Sequence, residues 1–113
     1  MKFLLKIGAL CNDSKVENKK RIGDPTEGSL LISARKAKID TDTLKWDHPR
    51  LNEIPFSSER KRMTTVHEID GNYFAYMKGA PEVILDLCIS DIADGRISPL
   101  SQVKKDRVLQ INL

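Results

Sequence analysis

The sequence predicts an α/β fold of the α+β type: a small antiparallel β-sheet flanked by helices. Three observations carry that reading. Leu4, Ile7 and Cys11 fall at helical spacing near the start. Asp70-Gly71, a hairpin-turn pair, separates two runs rich in β-branched and aromatic residues. Pro81-Glu82 then opens a helix directly behind the second run. With 113 residues, 40% hydrophobic and 31% charged, the chain can close one core but not two, and its composition excludes disorder.

In chain order, residues 2–11 read as a short amphipathic helix, followed by a polar loop to Gly23. Asp24-Pro25-Thr26-Glu27 is a strong helix start. Asp24 is the N-cap, Pro25 suits the first helical position, and Glu27 stands three after the cap, as in a capping box. Leu30, Ala34 and Ala37 continue one face, so this helix is expected to reach about Lys38. A polar stretch surrounds Trp46. Leu51–Phe56, Met63–Ile69 and Asn72–Lys78 then form the β core. Gly79 ends the last strand, and the following helix carries Ile84, Leu87 and Cys88 on one face. Asp94-Gly95 marks a further turn, and Ser98-Pro99 is expected to start a final helix ending at Leu113. That helix stops with no Gly or Pro signal and no polar tail, which predicts a piece excised from a longer protein.

Many functions are excluded by inspection. No apolar run approaches the ~18–20 residues that span a bilayer, and Lys6 interrupts the apolar opening before any leader-like cleavage site. Cys11 and Cys88 are far apart in no metal-like spacing, which fits a reducing compartment. The sequence has no GxxxxGK[ST] phosphate loop, no GxGxxG fingerprint and no GxSxG elbow, and His67-Glu68 lacks the second histidine of a zincin. With only His48 and His67, a histidine-based metal site or triad lacks material. Asn12-Asp13-Ser14 matches a glycosylation sequon, a triplet common by chance.

The net charge of +3 is unevenly spread. Residues 1–23 hold six Lys/Arg against Asp13 and Glu17, and the remainder holds thirteen against fourteen. The excess lies around Lys15, Lys19, Lys20 and Arg21, and reads as a solvated surface rather than a phosphate track.

An adenine nucleotide needs an aromatic face for the base, small residues for close approach, a polar acceptor for the exocyclic amine, and cations toward the phosphates. Phe56, Gly79-Ala80, Glu27, and Lys61 with Lys78 supply that inventory. Each also has a plainer role. Phe56 suits a strand end, Glu27 a helix cap, Met63 a core gap, and Arg60-Lys61-Arg62 a solvated edge. Composition alone does not make them converge.

Four stretches taken together, Ala9–Asp13 (ALCND), Gly23–Leu31 (GDPTEGSLL), Pro55–Met63 (PFSSERKRM) and Met77–Glu82 (MKGAPE), resemble the nucleotide-binding (N) domain of P-type cation-transporting ATPases, in the calcium-pump-like branch. The resemblance runs from about Leu4 to Cys88. It implies that Phe56 stacks on adenine, that Lys78 lines the deep end of the pocket with Gly79 and Ala80 as its wall, and that Glu27 lies near the adenine amino group beside Thr26. It further implies Lys61 near the phosphates and Met63 against the base. Ser58, which the resemblance also places among the cofactor-binding residues, stands where calcium pumps often carry an arginine reaching to the phosphates, so the arginine contact itself is not carried over. No Asp-Lys-Thr-Gly phosphorylation motif and no TGE loop is present.

The resemblance thus implies one nucleotide-binding domain spanning residues 1–113, from the cytoplasmic part of an integral membrane pump. It would bind ATP and present the γ-phosphate to an aspartate on a separate phosphorylation domain of the same parent chain, with Mg²⁺ held mostly by that other domain, to drive ion transport through a membrane domain. The isolated chain is expected to bind ATP without hydrolysing it, and to have no nucleic-acid partner. The alternative is a basic nucleic-acid-binding or protein-interaction module that does not bind nucleotide.

Overall fold

Residues 62–79 form the hairpin on which the rest is assembled. In a computed structural model, which describes residues 2–17 and 20–111, the elements in order are α1 (Lys2–Leu10), β1 (Lys15–Glu17), β2 (Lys20–Ile22), α2 (Pro25–Lys36), α3 (Thr41–Asp47), β3 (Arg50–Ile54), β4 (Arg62–Ile69), β5 (Asn72–Gly79), α4 (Pro81–Leu87), β6 (Ser90–Ala93), β7 (Arg96–Pro99) and α5 (Gln102–Ile111). The central sheet is antiparallel in the order β3-β4-β5, and two separate two-stranded ribbons pair β1 with β2 and β6 with β7. This is the α+β architecture expected, with an antiparallel sheet and helices against it.

The β4–β5 register is continuous from Arg62↔Gly79 to Ile69↔Asn72. Asp70 and Gly71 close it with φ of 52° and 80°, the pair of left-handed residues that a tight two-residue hairpin requires. Strand periodicity puts Met63, Thr65 and His67 of β4 on one face beside Lys78, Tyr76 and Phe74 of β5. That face meets the helices. Ala9, Leu10, Cys11, Leu31, Ala34, Leu44, Met63 and Tyr76 form the buried core, with Leu5, Ile7, Ile39 and Ile69 packed around it. On β3 the register slips between Arg50 and Asn52, a bulge that bends this edge strand.

Helix α2 begins as its sequence dictates. The Asp24 carboxylate accepts from the N–H groups of Thr26 (2.7 Å) and Glu27 (3.2 Å), and Pro25 fills the first turn. The capping-box expectation for Glu27 is not met, because its carboxylate turns toward Lys78 and Asp13. Gly28, Leu31 and Ala34 bury the inner face, so Leu31 rather than Leu30 is the deep residue. The helix ends at Lys36 in a Schellman turn, with Ile39 N–H on the Ala34 carbonyl and Lys38 N–H on that of Arg35. Lys38 takes the left-handed position there at φ 64°.

Four stretches depart from the sequence reading. The polar loop before Gly23 contains the β1–β2 ribbon. Lys19, within the basic run, lies outside the described residues. The stretch around Trp46 is helix α3, capped by Asp40, whose carboxylate accepts from Asp42 and Thr43 N–H. Residues 90–99 form the β6–β7 ribbon around Asp94-Gly95. Pro99 therefore ends a strand, and the last helix starts at Gln102, with the Ser101 hydroxyl accepting from Lys104 N–H. Its expected end at Leu113 lies outside the described residues.

No residue of α4 or α5 is buried. Ile89, Ile97 and Ile111 are exposed as well, so this last third adds little to the core. None of the described helices is long and apolar enough to cross a membrane.

Candidate functional site

The N-terminus of α2, the end of β5 and the segment after β3 meet around an open cavity of about 680 Å³. Asp13, Asp24, Thr26, Glu27, Leu30, Pro55, Phe56, Met63, Lys78 and Gly79 line it. Six of the nine residues singled out in the sequence thus line one cavity: Thr26, Glu27, Phe56, Met63, Lys78 and Gly79. Its size falls in the range of small-molecule sites, and its mixture of apolar lining with few polar groups is typical of them.

The apolar part comes from three places. Phe56 follows β3 and remains 61% exposed, so its ring contributes little to the core. Met63 is 2% exposed and touches both core and cavity. Leu30 looks in from α2.

The polar end is built around Glu27. One carboxylate oxygen is ion-paired with the Lys78 ammonium. The other accepts from Asp13 N–H (3.3 Å) and lies 3.5 Å from the Ser14 hydroxyl. The Asn12 side-chain amide, 2% exposed, donates to the carbonyls of Gly8 (2.9 Å) and Glu27 (2.8 Å). Its buried amide is therefore a structural tie between α1 and α2 rather than a glycan acceptor.

Gly79 has a steric reason to be glycine. A Cβ there would stand 2.3 Å from the Lys61 carbonyl oxygen and 2.8 Å from Arg62 Cα. Close passage of the two backbones also lets Ala80 N–H donate to that same carbonyl at 3.0 Å. The small residue thus serves strand-to-strand approach at the cavity rim.

Ser58, Lys61 and Ala80 do not line the cavity. Ser58 and Lys61 are exposed in the turn before β4, where Lys61 adopts φ 56°. Ala80 stands behind Gly79 as the N-cap of α4. The neighbouring cations fold back on their own loop, Arg60 donating to the Pro55 carbonyl (3.2 Å) and Arg62 to the Arg60 carbonyl (3.2 Å).

Asp13, Leu30 and Pro55 were within motifs or helix faces named from the sequence but had no assigned role. The neighbour that sequence reasoning missed is Arg50, which binds Asp13 at 2.7 Å and Glu53 at 3.0 Å. Nothing in its spacing signals this, because its partners lie up to 40 residues away.

The carboxylates around the cavity are engaged: Glu27 with Lys78, Asp13 with Arg50, and Asp24 with the helix cap. Among the described residues no group of three or more His, Cys, Asp or Glu could hold a metal ion. This donor set does not fit a resident Mg²⁺, which demands a near-octahedral oxygen shell.

Fold and cavity together define an α+β domain with a small-molecule-sized cavity between α2 and the end of β5, and comparison with known proteins gives its family. Residues 1–112 match the model of the P-type ATPase cytoplasmic domain N, and the chain belongs to that family. It is 38% identical over 109 residues to calcium-transporting ATPase 1 of Bacillus cereus, covering 96% of this chain and 12% of that protein. It is 44% identical over 91 residues to the cation-transporting ATPase pma1 of Synechocystis, covering 77% of this chain and 10% of that protein. Calcium-transporting ATPase 1 of Lactococcus lactis is 35% identical over 107 residues. The chain thus spans about an eighth or less of the length of these relatives.

Proposed function

We propose that this chain is the ATP-binding domain of a P-type cation-transporting ATPase, gripping adenine and ribose and delivering the γ-phosphate to an aspartate on a separate phosphorylation domain. The observation that carries the proposal is the cavity in which Phe56, Met63, Glu27, Lys78 and Gly79 meet. Adenine stacks on the exposed ring of Phe56 and is backed by Met63 and Gly79. Its amino group faces the remaining lone pairs of the Glu27 carboxylate, which can accept at about four positions. Lys78 neutralises that carboxylate, so the pocket does not repel the electron-rich base.

Beyond the base, Thr26 lines the cavity at the start of α2, where the Asp24 carboxylate already occupies the N–H groups of Thr26 and Glu27, so the phosphates extend away from this helix end. Lys61 and Ser58, outside the cavity, are left to the phosphate tail. Catalysis then consists of positioning, with the chemical step completed on the neighbouring domain. The full pump's transport of a cation, its Mg²⁺ site and its membrane domain belong to the rest of the parent chain.

An open half-site binds weakly, with a Kd on the order of 1 mM, or about −4 kcal/mol. Titrating the chain with ATP, ADP and AMP, with and without Mg²⁺, tests this reading. Similar affinities, little Mg²⁺ dependence, modest salt sensitivity and no release of inorganic phosphate are expected. A steep fall of binding with salt, together with capture of oligonucleotides, would instead mark a nucleic-acid module. Absence of any nucleotide response would mark an interaction domain.

A further inference from the structure

The polar end of the cavity is held by a residue that does not line it. Arg50 opens β3 with its side chain 27% exposed. One guanidinium nitrogen donates to the carbonyls of Leu10 (3.0 Å) and Asn12 (2.9 Å), at the end of α1 and just beyond it. The other donates to the carboxylates of Asp13 (2.7 Å) and Glu53 (3.0 Å). Four bonds from one planar fork therefore lock the turn after α1 against β3.

That turn is what faces Glu27. With Arg50 holding Asn12 by its carbonyl and Asp13 by its side chain, the Asp13 N–H is directed at one Glu27 carboxylate oxygen. Ser14, fixed through its N–H to the Asn12 side-chain oxygen at 2.8 Å, donates its hydroxyl to the Asp24 carbonyl (3.1 Å) and so stands 3.5 Å from the same Glu27 oxygen. The other oxygen is pinned by Lys78. The rotamer of Glu27 is thus defined from two sides, and one side depends on Arg50.

We infer that Arg50 is a positioning residue for base selection: it orients the Glu27 carboxylate, through the 12–14 turn, for the amino group of an adenine. The inference rests on the nucleotide-site reading above. Guanine presents a carbonyl oxygen where adenine presents its amino group, so an oriented carboxylate favours adenine and a loosened one discriminates less. A planar fork is required for four simultaneous bonds, which an ammonium cannot reproduce.

The test is ATP and GTP titration of the wild-type chain, Arg50→Gln, Glu27→Gln and the double variant, with a thermal melt of each. Arg50→Gln is expected to weaken ATP about tenfold, the loss expected when a hydrogen bond to a charged group is broken, and to leave GTP nearly unchanged. In the Glu27→Gln background the same substitution is expected to cost less than about twofold, as coupled residues require. Equal losses for ATP and GTP, or an undiminished loss in the Glu27→Gln background, would reduce Arg50 to a stabilising residue and overturn the inference. Should Arg50→Gln fail to fold, Arg50→Lys and Asp13→Asn carry the same two readings. A wild-type chain that binds neither nucleotide would defeat the site reading itself. A wild-type chain that binds ATP, with selectivity unmoved in the variants, would defeat only the role of Arg50.

Discussion

Glu27 and Lys78, 51 residues apart in sequence, form an ion pair that closes the polar end of the cavity between α2 and β5. Their side chains are 18% and 25% exposed, so solvent screens the pair only in part. Removing one partner leaves a partly buried charge without its counter-ion. Lys78→Met is expected to destabilise the chain by about 1–3 kcal/mol, read from the urea midpoint at constant slope. Glu27→Gln is expected to cost less, because the amide oxygen still accepts from Asp13 N–H. Equal stability of Lys78→Met and wild type would mean that the pair contributes nothing to folding.

Gly79→Ala tests the close passage of β5 against the segment entering β4. The added methyl meets the backbone of Lys61 and Arg62 rather than a side chain that could swing away. Overpacking against backbone is expected to cost about 1–3 kcal/mol, and to weaken the Ala80 N–H bond to Lys61. Chemical denaturation gives the first quantity, and hydrogen exchange at Ala80 gives the second.

Lys38 offers a gain in stability. It occupies the left-handed position that ends α2, a conformation that costs a side-chain-bearing residue about 1 kcal/mol and glycine almost nothing. Lys38→Gly is therefore expected to stabilise the chain by about 0.5–1 kcal/mol without altering nucleotide affinity. A lowered melting temperature would contradict this.

His67 makes folding sensitive to acid. Burial, at 1% exposure, and the nearby positive charges of Arg50 and His48 hold its pKa below the ordinary 6.5, against a raising contribution from its bond to the His48 carbonyl. Its two ring nitrogens contact that carbonyl (2.9 Å) and the Thr65 hydroxyl (2.8 Å). A depressed pKa means that the unfolded chain takes up a proton first. The contribution of His67 is complete above the unfolded value of about 6.5 and fades as pH falls through the lower folded value. Urea midpoints measured from pH 8 to pH 5 should fall for wild type and fall less for His67→Gln. Parallel curves would rule out His67 as the source.

The two thiols should separate cleanly. Burial raises the pKa of Cys11, whose Sγ–H lies 3.5 Å from the Met63 carbonyl, against the lowering pull of Thr65, Lys78 and Arg50. The thiolate is the reactive form. Iodoacetamide at neutral pH is expected to modify half-buried Cys88 and to spare Cys11 until denaturant is added, as read by peptide mass spectrometry.

Much of this arrangement was legible in the sequence because its signals are local. Asp24-Pro25 caps α2, Asp70-Gly71 turns the hairpin, and Pro81 opens α4, each through chemistry confined to a few residues. Helix α3 is not legible in the sequence because a seven-residue helix burying only Thr41 and Leu44 offers too little periodicity, and Trp46, at 85% exposure, lies off its buried face. The β1–β2 and β6–β7 ribbons were missed because three- and four-residue strands carry no alternation to detect.

At the site, the motifs named most of the lining residues, and the fold then divided them. Thr26, Glu27, Phe56, Met63, Lys78 and Gly79 reach the cavity, while Ser58, Lys61 and Ala80 do not. What no motif disclosed was the partner of each charge. Glu27 reads as a cap in sequence, yet its carboxylate is committed to Lys78 and Asp13, and that choice depends on long-range geometry.

The most direct measurement is the intermolecular nuclear Overhauser effect between the adenine protons of ATP and this chain. Cross-peaks to the Phe56 ring and the Met63 methyl are expected, and Phe56→Ala should abolish them while weakening ATP by about 1–3 kcal/mol and leaving the melting temperature unchanged. Adenine contacts confined to residues away from this cavity, or full ATP affinity in Phe56→Ala, would contradict the account.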